Sequence, residues 1–167
     1  MFKQYWQSEP ARWSDWRWQM KNQIRRSSEL AKILPLSSDW LADIAACEQV
    51  YPLRISPYYL SLAQSCQPND PILRQCLPDT AELQSGCGEP DALAEETHSP
   101  LPRLVHRYPD RALYISNKLC AVHCRHCMRK RHWNSEMSAA PSDEEIDQAQ
   151  KYLRQHKELR EVLISGG

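Results

Sequence analysis

Long apolar runs are missing from this chain, and with them any segment able to cross a bilayer as a helix. A secretory signal is missing as well, since the first residues alternate aromatic and polar groups around no apolar centre. Neither sign of charge is in excess: 21 Lys and Arg stand against 21 Asp and Glu, which gives no support to binding of nucleic acid or of an anionic membrane. Glycine is scarce, four in 167 residues, and occurs in two places only, Gly86 with Gly88 and Gly166 with Gly167. No internal repeat is visible. These absences predict a cytoplasmic chain of about one soluble domain's size, in which the seven cysteines are reduced thiols rather than a disulfide framework.

Three of those cysteines carry most of the information. Cys120, Cys124 and Cys127 are spaced C-x3-C-x2-C. Three thiolates so close in sequence can hold three irons of a cubane and leave the fourth open, whereas a fully ligated cluster needs four protein ligands and usually only carries electrons. An open metal position can bind and activate a ligand. The triplet follows the apolar run Ala112 to Ile115, which reads as a buried strand, so the cysteines fall on a loop at a strand's C-terminal end. Ligand sites of α/β folds lie at that end.

The organisation before the triplet is helical. Ser14 is placed to cap a helix from Asp15 toward Arg26 with Trp16, Met20 and Ile24 on one face. Leu30, Ile33 and Leu34 form a short stripe stopped by Pro35, and Trp40, Ile44, Cys47 and Tyr51 form another ahead of Pro52. Cys47 is then a packing thiol, and Cys66, Cys76 and Cys87 also lack ligand spacing. Ser56-Pro57 and Asp70-Pro71 each pair a cap with a first-turn proline. The expected division is a helical region over 1–84, a Pro- and Gly-containing linker over 85–103, and a strand-loop-helix-strand region over 104–167. Pro141 to Glu145 is a capping-box helix start, with Ile146, Ala149 and Leu153 as the packing stripe. Val162 to Ile164 reads as a second buried strand, so Leu113 to Ile164 is one βαβ unit, parallel and right-handed.

The triplet resembles the radical S-adenosylmethionine signature, and its continuation Met128-Arg129-Lys130-Arg131 belongs to a wider resemblance. With His106 to Arg111, Asp15 to Gln19, Ser56 to Leu60, Pro68 to Pro71 and Ile164 to Gly167, nearly the whole chain resembles the front part of the lysine 2,3-aminomutase family. The resemblance implies the first βαβ unit of a partial (β/α) barrel, truncated behind an N-terminal helical region. It implies a four-iron four-sulfur cluster on Cys120, Cys124 and Cys127, S-adenosylmethionine on its open iron, and pyridoxal 5'-phosphate. Ser165, Gly166 and Gly167 are implied to meet S-adenosylmethionine, and His126 to lie near its adenine. Arg107, Tyr108 and Arg111 are implied to hold the pyridoxal phosphate, and Arg129 to pair with the carboxylate of an amino acid substrate, lysine or else glutamate. A reductant for the cluster and a homo-oligomeric intact enzyme follow from the same resemblance. The implied chemistry moves the α-amino group to the β-carbon through a 5'-deoxyadenosyl radical. Because the family continues beyond the glycine pair, the chain is expected to be an N-terminal fragment without turnover of its own.

Blander readings stand beside these. Two glycines after a strand suit any strand-to-loop turn, Arg107 to Arg111 suits a surface turn, and Arg129 to Arg131 suits a solvated basic face. His123 has no assigned role. The cysteines with His123, His126 or His132 would also make a zinc module, and a non-catalytic interaction piece is a third possibility.

Overall fold

The computed structural model describes residues 10–84, 88–134 and 140–166. Gly167, Cys87 and the Ser85-Gly86 start of the expected linker lie outside the described residues. The chain divides into two compact units. One comprises 1–87 with 121–134, the other 88–120 with 135–167.

The first unit is built from short helices: α1 (Trp16–Lys21), α2 (Ser27–Leu30), α3 (Ser38–Glu48), α4 (Pro57–Ser61) and α5 (Leu73–Cys76). Ser56 with Pro57 caps α4 as the sequence predicts, and Ser37 caps α3, a cap that the sequence reading does not name. α5 starts at Leu73 with Ile72 at its N-cap, later than the Asp70-Pro71 pair implies, although Asp70 still binds its first N–H groups. Ser37 accepts from Trp40 N, Ser56 from Tyr59 N ahead of Pro57, and Asp70 Oδ1 from Ile72 N and Leu73 N. Leu30, Leu34, Ile44, Leu53, Ile55, Leu60 and Leu73 are all at most 1% exposed and form the core, with Cys47 and Cys76 also fully buried. Cys47 is thus a packing thiol.

The first helix departs from its expected extent. Asp15, not Ser14, caps it, and it stops at Lys21 with Asn22 as C-cap. Ile24 leaves the helix because its backbone pairs in both directions with Ile55, at 2.8 and 3.0 Å. So short a helix cannot bury Trp16, which is 62% exposed, and Trp18 is the buried tryptophan instead.

The second unit is a three-stranded sheet in the order β1 (Leu104–Tyr108), β2 (Arg111–Asn117), β3 (Glu161–Gly166), with α6 (Asp143–Gln155) between β2 and β3 in sequence. β2 and β3 are parallel, as a βαβ unit requires, and β1 adds antiparallel to β2 through a tight turn at Pro109-Asp110. β1 has no clear signature in the sequence, because His106-Arg107-Tyr108 breaks the apolar alternation. The capping box of α6 forms as expected: Ser142 Oγ accepts from Glu145 N, while Glu145 accepts from Ser142 N. Glu145 also pairs with Arg103, whose side chain is fully buried and reaches Ala140 O at 3.2 Å. Within the stretch read as a linker, Glu95 and Arg103 are both buried.

β3 is not the buried strand expected. Leu163 is 44% and Ile164 69% exposed. Among the described residues the strand is at the edge of the sheet, paired on one side only.

Candidate active site

β2 carries the first cysteine. After Asn117 the chain turns, Asn117 Oδ1 accepting from Leu119 N at 3.0 Å, and reaches Cys120, the last residue of this segment of the sheet unit. The same end of the sheet holds Ser165 and Gly166. Ile115 pairs with Ser165 and Asn117 with Gly166, and Ser116 Oγ donates to Ser165 O at 2.8 Å. Gly166 is a glycine for a local reason: a Cβ there would stand 2.8 Å from Asn117 Nδ2 and 3.2 Å from Asn117 O. Gly167 cannot be placed, lying outside the described residues.

Cys124 and Cys127 belong to the helical unit. The turn between them is closed by Cys127 N donating to Cys124 O at 2.9 Å, and Arg129 N donates to Cys127 Sγ at 3.3 Å. Burial raises the Cys124 thiol above its ordinary pKa, and the neighbouring Cys127 charge adds to the rise. None of Cys120, Cys124 and Cys127 is in a disulfide, and all three are half-buried. Among the described residues no three His, Cys, Asp or Glu side chains are gathered as a ligand set. The donor chemistry nonetheless fits an iron–sulfur cluster: three reduced thiols with a backbone N–H already directed at one sulfur, the kind of hydrogen bond that tunes such centres.

His123, buried at 3% exposure, takes a structural part. Its Nδ1 donates to Pro52 O at 2.8 Å, its ring stacks on Trp133 at 4.1 Å, and burial pushes its pKa down to about 4. His126 is exposed and lines a cavity of about 340 Å³ together with Trp40, Arg74, Glu82 and Arg125.

Arg107, Tyr108 and Arg111 are brought together. The Tyr108 ring has two guanidinium groups near its face, that of Arg107 at 5.7 Å and that of Arg111 at 5.9 Å from its centroid. Arg107 Nη1 donates to Leu93 O at 2.7 Å, and Arg111 pairs with Asp110. With Leu93, Glu95 and Leu163 they line a cavity of about 170 Å³. Two planar cations and a phenol suit a phosphate dianion. They sit where β1 ends and β2 begins, whereas Cys120 follows the other end of β2, about 20 Å away along a seven-residue strand.

Sequence reading missed Glu82, Asn117 and Arg103. Only Glu82 leaves a local trace, the Asp79-x-x-Glu82 capping pattern, and that trace points to a helix start rather than to a site.

The chain is thus a mixed α/β protein in which a C-x3-C-x2-C segment follows a strand whose parallel neighbour ends at Gly166. No family model matches the chain. Curated relatives do. It is 42% identical over 158 residues to an L-lysine 2,3-aminomutase of Clostridium subterminale, covering 94% of this chain and 38% of the relative. It is 40% identical over 159 residues to an L-lysine 2,3-aminomutase of Methanococcus maripaludis, covering 93% and 36%. It is 35% identical over 158 residues to a glutamate 2,3-aminomutase of Clostridioides difficile, covering 93% and 36%. Over the stretch that it covers, the chain belongs to the lysine 2,3-aminomutase family, and it spans between 36% and 38% of the length of these relatives.

Proposed function

We propose that this chain supplies the cluster-binding and phosphate-binding parts of a radical S-adenosylmethionine amino acid 2,3-aminomutase, with its sheet as the start of a partial (β/α) barrel. The observation that carries the reading is the C-x3-C-x2-C loop behind β2, with Ser165 and Gly166 on the parallel strand beside it. Cys120, Cys124 and Cys127 would hold the cluster, and Arg107, Tyr108 and Arg111 the phosphate of pyridoxal 5'-phosphate. When bound, the cluster supplies one-electron chemistry for cleaving S-adenosylmethionine, and the pyridoxal group supplies an aldehyde able to carry the migrating amino group.

The chain's own residues bind and orient. Arg129 presents a planar fork suited to the α-carboxylate of the substrate, two residues past Cys127. Ser165 and Gly166 end the strand parallel to β2 and would offer backbone groups to S-adenosylmethionine, and His126 offers a flat ring beside its cavity for an adenine. Lysine is the substrate we favour over glutamate, since relatives named for lysine reach 42% identity and the one named for glutamate 35%.

Anaerobic reconstitution with ferrous iron and sulfide tests the reading. The expected result is brown absorbance with iron and sulfide bound in the parent and in Cys47→Ala, and lost in Cys120→Ala, Cys124→Ala and Cys127→Ala. Binding of zinc without sulfide, or equal loss in Cys47→Ala, would refute it.

A further inference from the structure

Backbone bonds at Ala121, His123 and Arg125 tie the segment holding Cys124 and Cys127 to the rest of the helical unit, and one carboxylate adds a side-chain clamp across the cysteine turn. Glu82 stands on the 3-10 turn Thr80–Leu83, itself held by the Asp79 capping box. It accepts Arg125 Nε at 2.9 Å and Arg125 Nη2 at 2.6 Å, and it also takes the Lys130 ammonium. All three side chains are mostly buried: 14% exposed for Glu82, 6% for Arg125 and 18% for Lys130. Arg125 lies between the two cysteines and Lys130 three residues beyond the second, so a single carboxylate grips the turn from inside and from its far flank.

The surroundings leave Arg125 dependent on that grip. Its Nη1 is buried and without a hydrogen-bond partner among the described residues, its guanidinium lies 5.2 Å from the Trp133 ring, and its backbone N–H is spent on Gln75 O. A buried guanidinium stripped of its carboxylate cannot stay where it is without a large cost. It must leave for water, and the cysteine turn moves with it.

We propose that Glu82 is a positioning residue for the cluster, acting through Arg125 and Lys130 to fix the Cys124–Cys127 turn and to balance the charge beside it. This rests on the cluster reading above for its purpose, but not for the existence of the clamp. With Glu82 the group sums to one net positive charge, two cations against one carboxylate. Without it the sum is two, and a more positive surrounding raises a cluster's reduction potential.

The test has two arms on the full chain. In the cluster-free protein, alkylation of Cys124 and Cys127 by iodoacetamide, followed residue by residue by mass spectrometry, should quicken roughly tenfold in Glu82→Gln, the factor expected for losing a hydrogen bond to a charged group. Cys66 should keep its parental rate. In the reconstituted protein, Glu82→Gln should move the reduction potential positive, and Glu82→Asp, which keeps the charge, should restore it. Asp79→Asn, which disturbs the same turn but leaves the carboxylate, should do neither. Unchanged alkylation at Cys124 and Cys127, or an equal rise at Cys66, overturns the clamp. A parent that takes up no iron and sulfide refutes the cluster reading while the alkylation arm still decides the clamp. Should Glu82→Gln fail to fold, Lys130→Gln opens one arm and carries the same expectation with a smaller rise, the absence of which also overturns it.

Discussion

At the residue scale, the cysteines separate by environment. Burial pushes the Cys76 thiol up to about 12 and raises that of Cys47, so both are inert packing groups. The triplet cysteines keep partial access to solvent. Asp70 is the acid on which the helical unit depends most visibly. It is 3% exposed and accepts from Gln64 N, Ser65 N, Ile72 N and Leu73 N. Burial opposes its ionisation, but the backbone N–H groups outweigh burial and hold its pKa below the usual 3.8. A carboxyl lowered on folding contributes stability above its unfolded pKa and loses it as pH falls through the folded value. Stability should therefore decline as pH drops below about 3.9. Asp70→Asn should cost roughly 1–3 kcal/mol at neutral pH and flatten that acid limb. Urea titrations from pH 7 to pH 2 check both, and parallel limbs in the two proteins would show that Asp70 is not the group responsible.

At the element scale, the pairing of β2 with β3 sets the end of the sheet where Cys120 emerges. Asn117 fills the space over Gly166 while its Oδ1 is held by Leu119 N, so it cannot swing aside freely. Gly166→Ala should destabilise the sheet unit by roughly 1–3 kcal/mol, as overpacking does. Asn117→Gly should relieve part of that cost in the double variant, giving a coupling readable from a thermodynamic cycle. Additive effects would mean that the two residues do not press on each other. The Arg103–Glu145 pair acts at the same scale. It joins the start of β1 to the first turn of α6, and its burial makes it a determinant of which helix start is used rather than a large net source of stability.

At the scale of the whole molecule, β3 presents Ile164 at 69% exposure and Leu163 at 44% on an edge strand. An apolar unpaired edge is a template for association. The 167-residue chain should sediment with a concentration-dependent average mass, and Ile164→Lys should shift it toward monomer. A parent that stays monomeric at the highest concentration would show that the edge is protected. No helix among the described residues is long and apolar enough to cross a membrane.

What the sequence determined by itself is local. The C-x3-C-x2-C spacing, the caps at Ser56 and Ser142 and the core stripe of Ile44 and Cys47 could all be read from neighbours a few residues apart, since capping bonds and helix faces depend on short-range geometry, and the parallel βαβ unit followed from the order strand, helix, strand. Tertiary structure decided the rest. Ile24 left its helix for Ile55, 31 positions on by number, and β1 formed only because β2 offered an edge to pair with. Glu82 gained its place by meeting Arg125 and Lys130 more than 40 residues away. Arg103 was buried only because Glu145 came to meet it. Such partners share no periodicity and no motif. A buried charge is tolerated only where the fold brings its counter-charge, and that meeting is a property of the folded chain.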